Sequence, residues 1–249
     1  MICSLVSAYA FHPALAPRTP KIAHRSRTAI ADLAAAKSAL FAALDSAPDR
    51  GLAEYEDYQT PTWVSAVADA VDALQPLDPS RGDWMVDPAF SGSWLLAYTS
   101  SPTFRRNRGL SGYETFVDGV ETPQLVMELL PRSKLSFEEP LDDESAAALA
   151  THFRLSDDEP PESVEIDCSW VVGADDSLRL TFSAVRVGSK TLEPVNAAAQ
   201  GKDVVDFDAD KAIRVLEVTR PVYVDNDVLI LRALTDAFFV WERAAFELE

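Results

Sequence analysis

The chain has 249 residues, 47% apolar and 25% charged, enough to bury a core as one sizeable domain with appendages or as two small ones. Its formal net charge of −18 repels phosphate backbones, so nucleic acid is not expected as a partner. Two cysteines and three histidines are few for a disulfide framework, a cysteine-rich metal site or most imidazole-based machinery, and no stretch approaches the ~20 apolar residues of a spanning helix.

Residues 2–10 form a short apolar stretch ending in Ala8-Tyr9-Ala10, the small-x-small pattern that signal peptidase accepts. Phe11-His12-Pro13 follows. Beyond it come Ser, Thr, Pro and the basic residues Arg18, Lys21, Arg25 and Arg27, with no Asp or Glu through Thr28. This succession resembles the two-part presequence of algae whose plastids lie within the endomembrane system, where an aromatic residue follows the first cleavage point. It implies delivery to a plastid with residues 1–27 removed. Cys3, His12 and His24 would leave with them, so the mature chain would carry Cys168 as its one cysteine and His152 as its one histidine.

From Thr28 to Ala47, Ile30, Leu33, Ala34, Leu40, Phe41 and Leu44 recur at spacings that predict a helix, ended by Pro48 and Gly51. A second helix is predicted from Thr62 to Leu77, with Pro61 before it and Val64, Val67, Val71 and Leu74 as its apolar stripe. Residues 28–90 thus read as an N-terminal helical segment, and residues 91–249 as the β domain.

After Gly92 the apolar period falls from 3.6 to 2. Trp94-Leu96-Tyr98 alternate with Leu95-Ala97-Thr99, and Val164-Ile166-Cys168-Trp170-Val172 alternate with Glu165-Asp167-Ser169. Leu178-Leu180-Phe182 repeats the pattern beyond a turn at Gly173–Asp176. Further strands are predicted at 113–118, 123–130, 133–138, 184–188, 213–219, 228–233 and 237–242, with a helix over 142–153 between them. The fold class is mostly β with α appendages: about nine short antiparallel strands in a barrel or sandwich, preceded by two helices and interrupted by one.

Residues 90–101 read Phe-Ser-Gly-Ser-Trp-Leu-Leu-Ala-Tyr-Thr-Ser-Ser. They resemble the opening motif of the fibrillin, or plastid lipid-associated protein, family: Gly-x-Trp, then Leu and Tyr-Thr-Ser. Residues 222–232 resemble that family's closing Tyr-x-Asp and strand through Tyr223, Asp225 and Arg232, and Phe238-Phe239-Val240 resembles its final strand. Leu229 stands where the family's closing strand has Arg, and residues 105–165 follow the pattern poorly. The resemblance implies a lipocalin-like antiparallel β-barrel at thylakoids or plastoglobules. Such a protein carries a lipophilic small molecule (carotenoid, quinone, prenyl or acyl lipid) and is neither an enzyme nor a holder of a cofactor. A structural role is the alternative: a coat on plastid lipid bodies, or a scaffold for an enzyme of prenyl-lipid synthesis, with the barrel filled by its own side chains.

In a closed barrel, alternate side chains face the interior. Parity along each strand assigns Trp94, Leu96, Tyr98, Ile166, Trp170, Leu180, Phe182 and Val240 to the lining of one apolar cavity. Gly92 lets the backbone turn tightly into the barrel floor and Trp94 plugs it. Arg232 either stacks on that indole and joins first strand to last, or lies in solvent beside a Trp94 that is simply core. Arg105, Arg106 and Arg108 form the basic cluster of an acidic chain. They are either a solvated loop or a rim patch meeting a lipid headgroup or a pyrophosphate.

Asp206, Asp208 and Asp210 match the first acids of a calcium loop and Glu217 its last, but Lys211 takes the place of the required glycine. An acidic hairpin tip is expected there, not a metal site. There is no glycine-rich phosphate cradle and no Gly-x-Ser-x-Gly elbow. Cys168 reads as a small buried hydrophobe.

Processing gives the first test. The mature N terminus is expected between about residues 25 and 32, and N-terminal sequencing of protein purified from the organelle checks it. An intact Met1 in the cell would remove the presequence.

Overall fold

The computed structural model describes residues 27–51, 60–80, 82–107, 125–130, 134–141, 143–153, 155, 160–192 and 215–244. The presequence, the expected strand at 113–118 and Asp206–Asp210 lie outside them. Helix α1 is Arg27–Asp45 and α2 is Thr62–Leu74. Strand β1 (Gly92–Thr99) leads into the short helix α3 (Pro102–Asn107). Then come β2 (Val126–Leu130), β3 (Lys134–Pro140), α4 (Asp143–Phe153), β4 (Ser163–Val172) and β5 (Leu178–Val187). Strands β6 (Lys190–Leu192), β7 (Val218–Val224), β8 (Val228–Ala233) and β9 (Phe238–Arg243) complete the described chain. No helix among the described residues is long and apolar enough to cross a membrane.

Eight strands close an antiparallel barrel in the order β4-β3-β2-β1-β9-β8-β7-β5, with β5 pairing back to β4 and β6 attached to the far end of β5. First strand pairs with last, as the alternation and the two end motifs predict. The circle is uneven. β4 and β5 share a long ladder, whereas β5 and β7 meet only at Leu178–Thr219 and Arg179–Val218. Pro221, which has no N–H to give, lies on β7 just past that short seam, beside a bulge in the β7–β8 ladder. The apolar pattern predicts this strand over 213–219. Instead Val215–Glu217 is a helical turn and the strand runs on to Val224, because a proline is tolerated where a ladder is missing.

Two apolar clusters use the two faces of the sheet. The inner cluster lines the barrel interior. The outer one joins α1 (Leu40, Ala43, Leu44) and α2 (Val67, Ala70, Val71, Leu74) to the outside of β1, β7, β8 and β9. β8 and β9 are therefore buried on both sides, which is why Val228-Leu229-Ile230-Leu231 and Phe238-Phe239-Val240-Trp241 are unbroken apolar runs. β4 keeps one face in water and alternates instead. Gly51, after α1, presses against β1: a Cβ there would lie 2.5 Å from the Thr99 carbonyl oxygen and 2.7 Å from the Tyr98 ring, at φ +81°.

Polar contacts fasten this helical layer. Arg232 Nη2 reaches Asp72 of α2 at 2.8 Å. Lys37 of α1 bonds Asp225 at 2.8 Å and Asp227 at 2.5 Å, and the Tyr223 hydroxyl donates to Asp225. Burial pulls the Lys37 ammonium down, but its two carboxylate partners outweigh that and raise its pKa. Burial pushes Asp225 up, yet the Lys37, Tyr223 and backbone N–H bonds leave it below the ordinary carboxylate value.

The signs define a window. The Asp225 contribution is complete above its unfolded pKa and is lost as pH falls through the lower folded value. The Lys37 contribution is complete below its unfolded pKa and is lost as pH rises through the higher folded one. Lys37→Met is expected to cost about 1–2 kcal/mol at neutral pH and to weaken the loss of stability below about pH 4. Urea titrations of both proteins from pH 3 to 8 measure this, and parallel acid limbs would mean that another group sets the acid limb.

Candidate functional site

The barrel floor is built on one side chain. Trp94 is fully buried, and its Nε1 donates to the Phe90 carbonyl at 3.1 Å. The guanidinium of Arg243, its ladder partner on β9, lies 3.7 Å above the indole. Arg243 also donates to the carbonyls of Ala89, Ser91 (2.7 Å) and Asn226 (3.1 Å). Gly92 makes the room: its φ is +127°, and a Cβ there would collide with Arg243 Nη1. The expected stack of Arg232 on Trp94 is not formed. On β8, Arg232 pairs with Phe238, at the opposite end of β9 from Arg243, and shares the outward face with Val228 and Ile230. There it lies over the Phe238 ring and holds Asp72.

Of the eight residues assigned to the lining, Trp94, Leu96, Ile166, Trp170, Leu180 and Phe182 do face the inner cluster. Tyr98 and Val240 do not. A register shift between Leu96 and Tyr98 turns Tyr98 outward, where it stacks on Phe238 under the helices. Val240 takes the helix-facing side of β9, leaving the interior to Phe239 and Trp241. Sequence reasoning missed those two, together with Phe137 and Met127, all fully or almost fully buried.

Much of the interior is occupied by rings. Phe137 lies 6.2 Å from both Phe182 and Trp241, and Phe104 lies 5.1 Å from Phe239. Phe90 meets Trp170 edge-on at 6.0 Å. Burial is not uniform, however. Along β4 and β5, Trp170, Val172 and Phe182 pack on the inner cluster yet remain half-buried, as does Val215 in the turn entering β7. Phe182 lies on β5 and Trp170 and Val172 on the neighbouring β4, while Val215 leads into β7 across the short β5–β7 seam; Leu141 and Leu155, half-buried against the same cluster, flank α4.

The rim residues are placed differently from their assignment. Arg105 is buried at 6% exposure in α3, behind the inward Phe104. The side chain of Arg106 and the whole of Arg108 lie outside the described residues. Cys168 is buried, donates to the Leu135 carbonyl at 3.2 Å, and burial raises its thiol pKa far above the ordinary value, which suits a packing role. A groove of about 840 Å³ lies on the outside of β3–β5, lined by Glu138, Glu162, Glu165 and Arg186 among others. Arg186 there clasps Glu165 at 2.5 Å and also Asp167. Leu155, Pro160 and Pro161 also belong to its lining, which is mixed and lies outside the barrel. No group of ligands suited to a metal ion occurs among the described residues.

Comparison with protein-family models, curated proteins and solved structures gives no match to this chain.

Gly92→Ala, which meets both the positive φ and Arg243, is expected to cost about 2–4 kcal/mol. A double-mutant cycle of Trp94→Phe with Arg243→Met should return a coupling of about 1–2 kcal/mol, and the same cycle with Arg232 close to none. Chemical denaturation measures all of these. Equal couplings for the two arginines would move the floor contact away from Arg243.

Proposed function

We propose that this barrel takes up an elongated lipophilic small molecule through its β4–β5 side, as a non-enzymatic binding protein of the fibrillin kind, peripheral to a plastid membrane or lipid body. The observation that carries the reading is the half-burial of Trp170, Val172 and Phe182. They lie on the inward face, where closure normally buries side chains completely, and beside the weakest seam of the barrel. A guest that covers them removes apolar surface from water, worth about 25 cal/mol per Å². A prenyl, carotenoid or acyl chain gains from this without a polar contact. The opening and closing motifs support the family reading, and the acidic chain fits a guest held by apolar area more than by charge. Since Arg105 is buried, a headgroup patch formed by Arg105, Arg106 and Arg108 together is not part of this proposal.

One observation favours the scaffold reading: Trp94, Phe137, Phe239 and Trp241 fill part of the interior at 1% exposure or less. On that reading the outer surface acts, on lipid bodies or on an enzyme of prenyl-lipid synthesis.

Titration with a fluorescent prenyl lipid separates the two. Wild type is expected to bind at micromolar concentration or tighter. Trp170→Arg, checked for native circular dichroism, should lose at least about tenfold in affinity by placing a charge against the guest. Absence of binding to prenyl, carotenoid and acyl probes alike would give the scaffold reading the field.

A further inference from the structure

We infer that the barrel interior carries a hydrogen-bond donor for its guest, the indole N–H of Trp241, and that this donor selects lipophiles bearing a carbonyl oxygen over plain hydrocarbons. The inference rests on the uptake proposed above and adds the chemical class of the guest.

Trp241 is 0% exposed and sits on β9 between Leu96 of β1 and Leu229 of β8, with its ring in the inner cluster. Among the described residues its Nε1 has no hydrogen-bond partner, whereas the equally buried Trp94 gives its N–H to the Phe90 carbonyl. An indole nitrogen can only donate. Buried without an acceptor it is a standing penalty, and a phenylalanine would fill the same layer of the barrel without it. An acceptor on the guest removes the penalty.

The rings connect this donor to the proposed opening. Half-buried Phe182 stacks on Phe137 at 6.2 Å with an interplanar angle of 21°, and Phe137 lies 6.2 Å from Trp241. A guest entering beside the β5–β7 seam and lying along Phe182 and Phe137 brings its inner end to Trp241. The seam holds a second polar atom with no partner among the described residues. Thr219, at 1% exposure, pairs with Leu178 and Ala233 of the inner cluster, and its Oγ1 makes no hydrogen bond among the described residues. A hydroxyl both gives and takes, so it accommodates a polar group of either kind at the outer end. Trp241 accepts only one kind, so Trp241 is the selective position. The guest class is an elongated apolar molecule with a ketone, ester or quinone carbonyl.

The test displaces diphenylhexatriene, a pure hydrocarbon fluorophore, from the full chain. The competitors are two isoprenoids of equal length, one ending in a methyl ketone and the other in an alkene. The ketone is expected to compete about tenfold better, and in Trp241→Phe the ratio should fall to within about twofold. On wild type labelled with ¹⁵N-tryptophan, the ketone should move the Trp241 indole N–H resonance downfield and the alkene should not. This measurement needs no variant to fold. Equal competition by ketone and alkene, a ratio that survives in Trp241→Phe, or an indole resonance that ignores the ketone overturns the donor while leaving lipophile binding intact. An indole proton held by a buried water would give this last result. Failure of diphenylhexatriene and of both isoprenoids to bind overturns the uptake reading, and the donor's role with it.

Discussion

A closed barrel has to join its first strand to its last, and here that junction is held by one cation. Arg243 stacks on Trp94 and ties together the carbonyls of Ala89, Ser91 and Asn226, which belong to the approach to β1 and to the β7–β8 turn. Removing the guanidinium would leave the indole without its cover and three backbone acceptors without a donor. Gly92 is the counterpart of this cation: the side chain it lacks is the space Arg243 occupies. Motif glycine, motif tryptophan and terminal arginine are therefore one physical unit.

The sequence made half of this unit legible. Gly92 and Trp94 stand together at the point where the apolar period changes, and a tight turn followed by a buried indole is a direct reading of that pair. The arginine was placed wrongly because two arginines lie in the closing region and local sequence does not say which strand end meets Trp94. Register decides it. Arg243 is level with Trp94 on the neighbouring strand, while Arg232 is level with Phe238 and points to Asp72. Pairing between residues so distant in the chain leaves no periodic trace.

The lining follows the same logic. β4 has one wet face, so its alternation reports its inward residues, and Ile166 and Trp170 are where parity puts them. β9 has no wet face over Phe238–Val240. Both parities are equally apolar there, and Val240 was assigned inward where Phe239 and Trp241 belong. An unbroken apolar run is itself a signal that a strand is covered twice, and two amphipathic helices upstream supply the second cover. Tyr98 carries no such signal. The shift after Leu96 reverses the parity of a strand whose sequence still alternates.

That double coverage bears on where the barrel can admit anything. β1, β8 and β9 are locked between the inner rings and the α1–α2 layer, and β8 and β9 have no solvent on either face over their apolar runs. Opening there would expose two cores at once. β4 and β5 carry polar side chains outside, with Arg186 binding Glu165 and Asp167 across the ladder, and β5 meets β7 at two residue pairs. Separating that seam sacrifices little pairing. The half-buried inward residues lie on this same side, so the part of the barrel least costly to open is also the part where an apolar guest has surface left to cover. The helices thus do more than lengthen the chain: they bury β8 and β9 on both faces and leave the outer face of β4 and β5 to water.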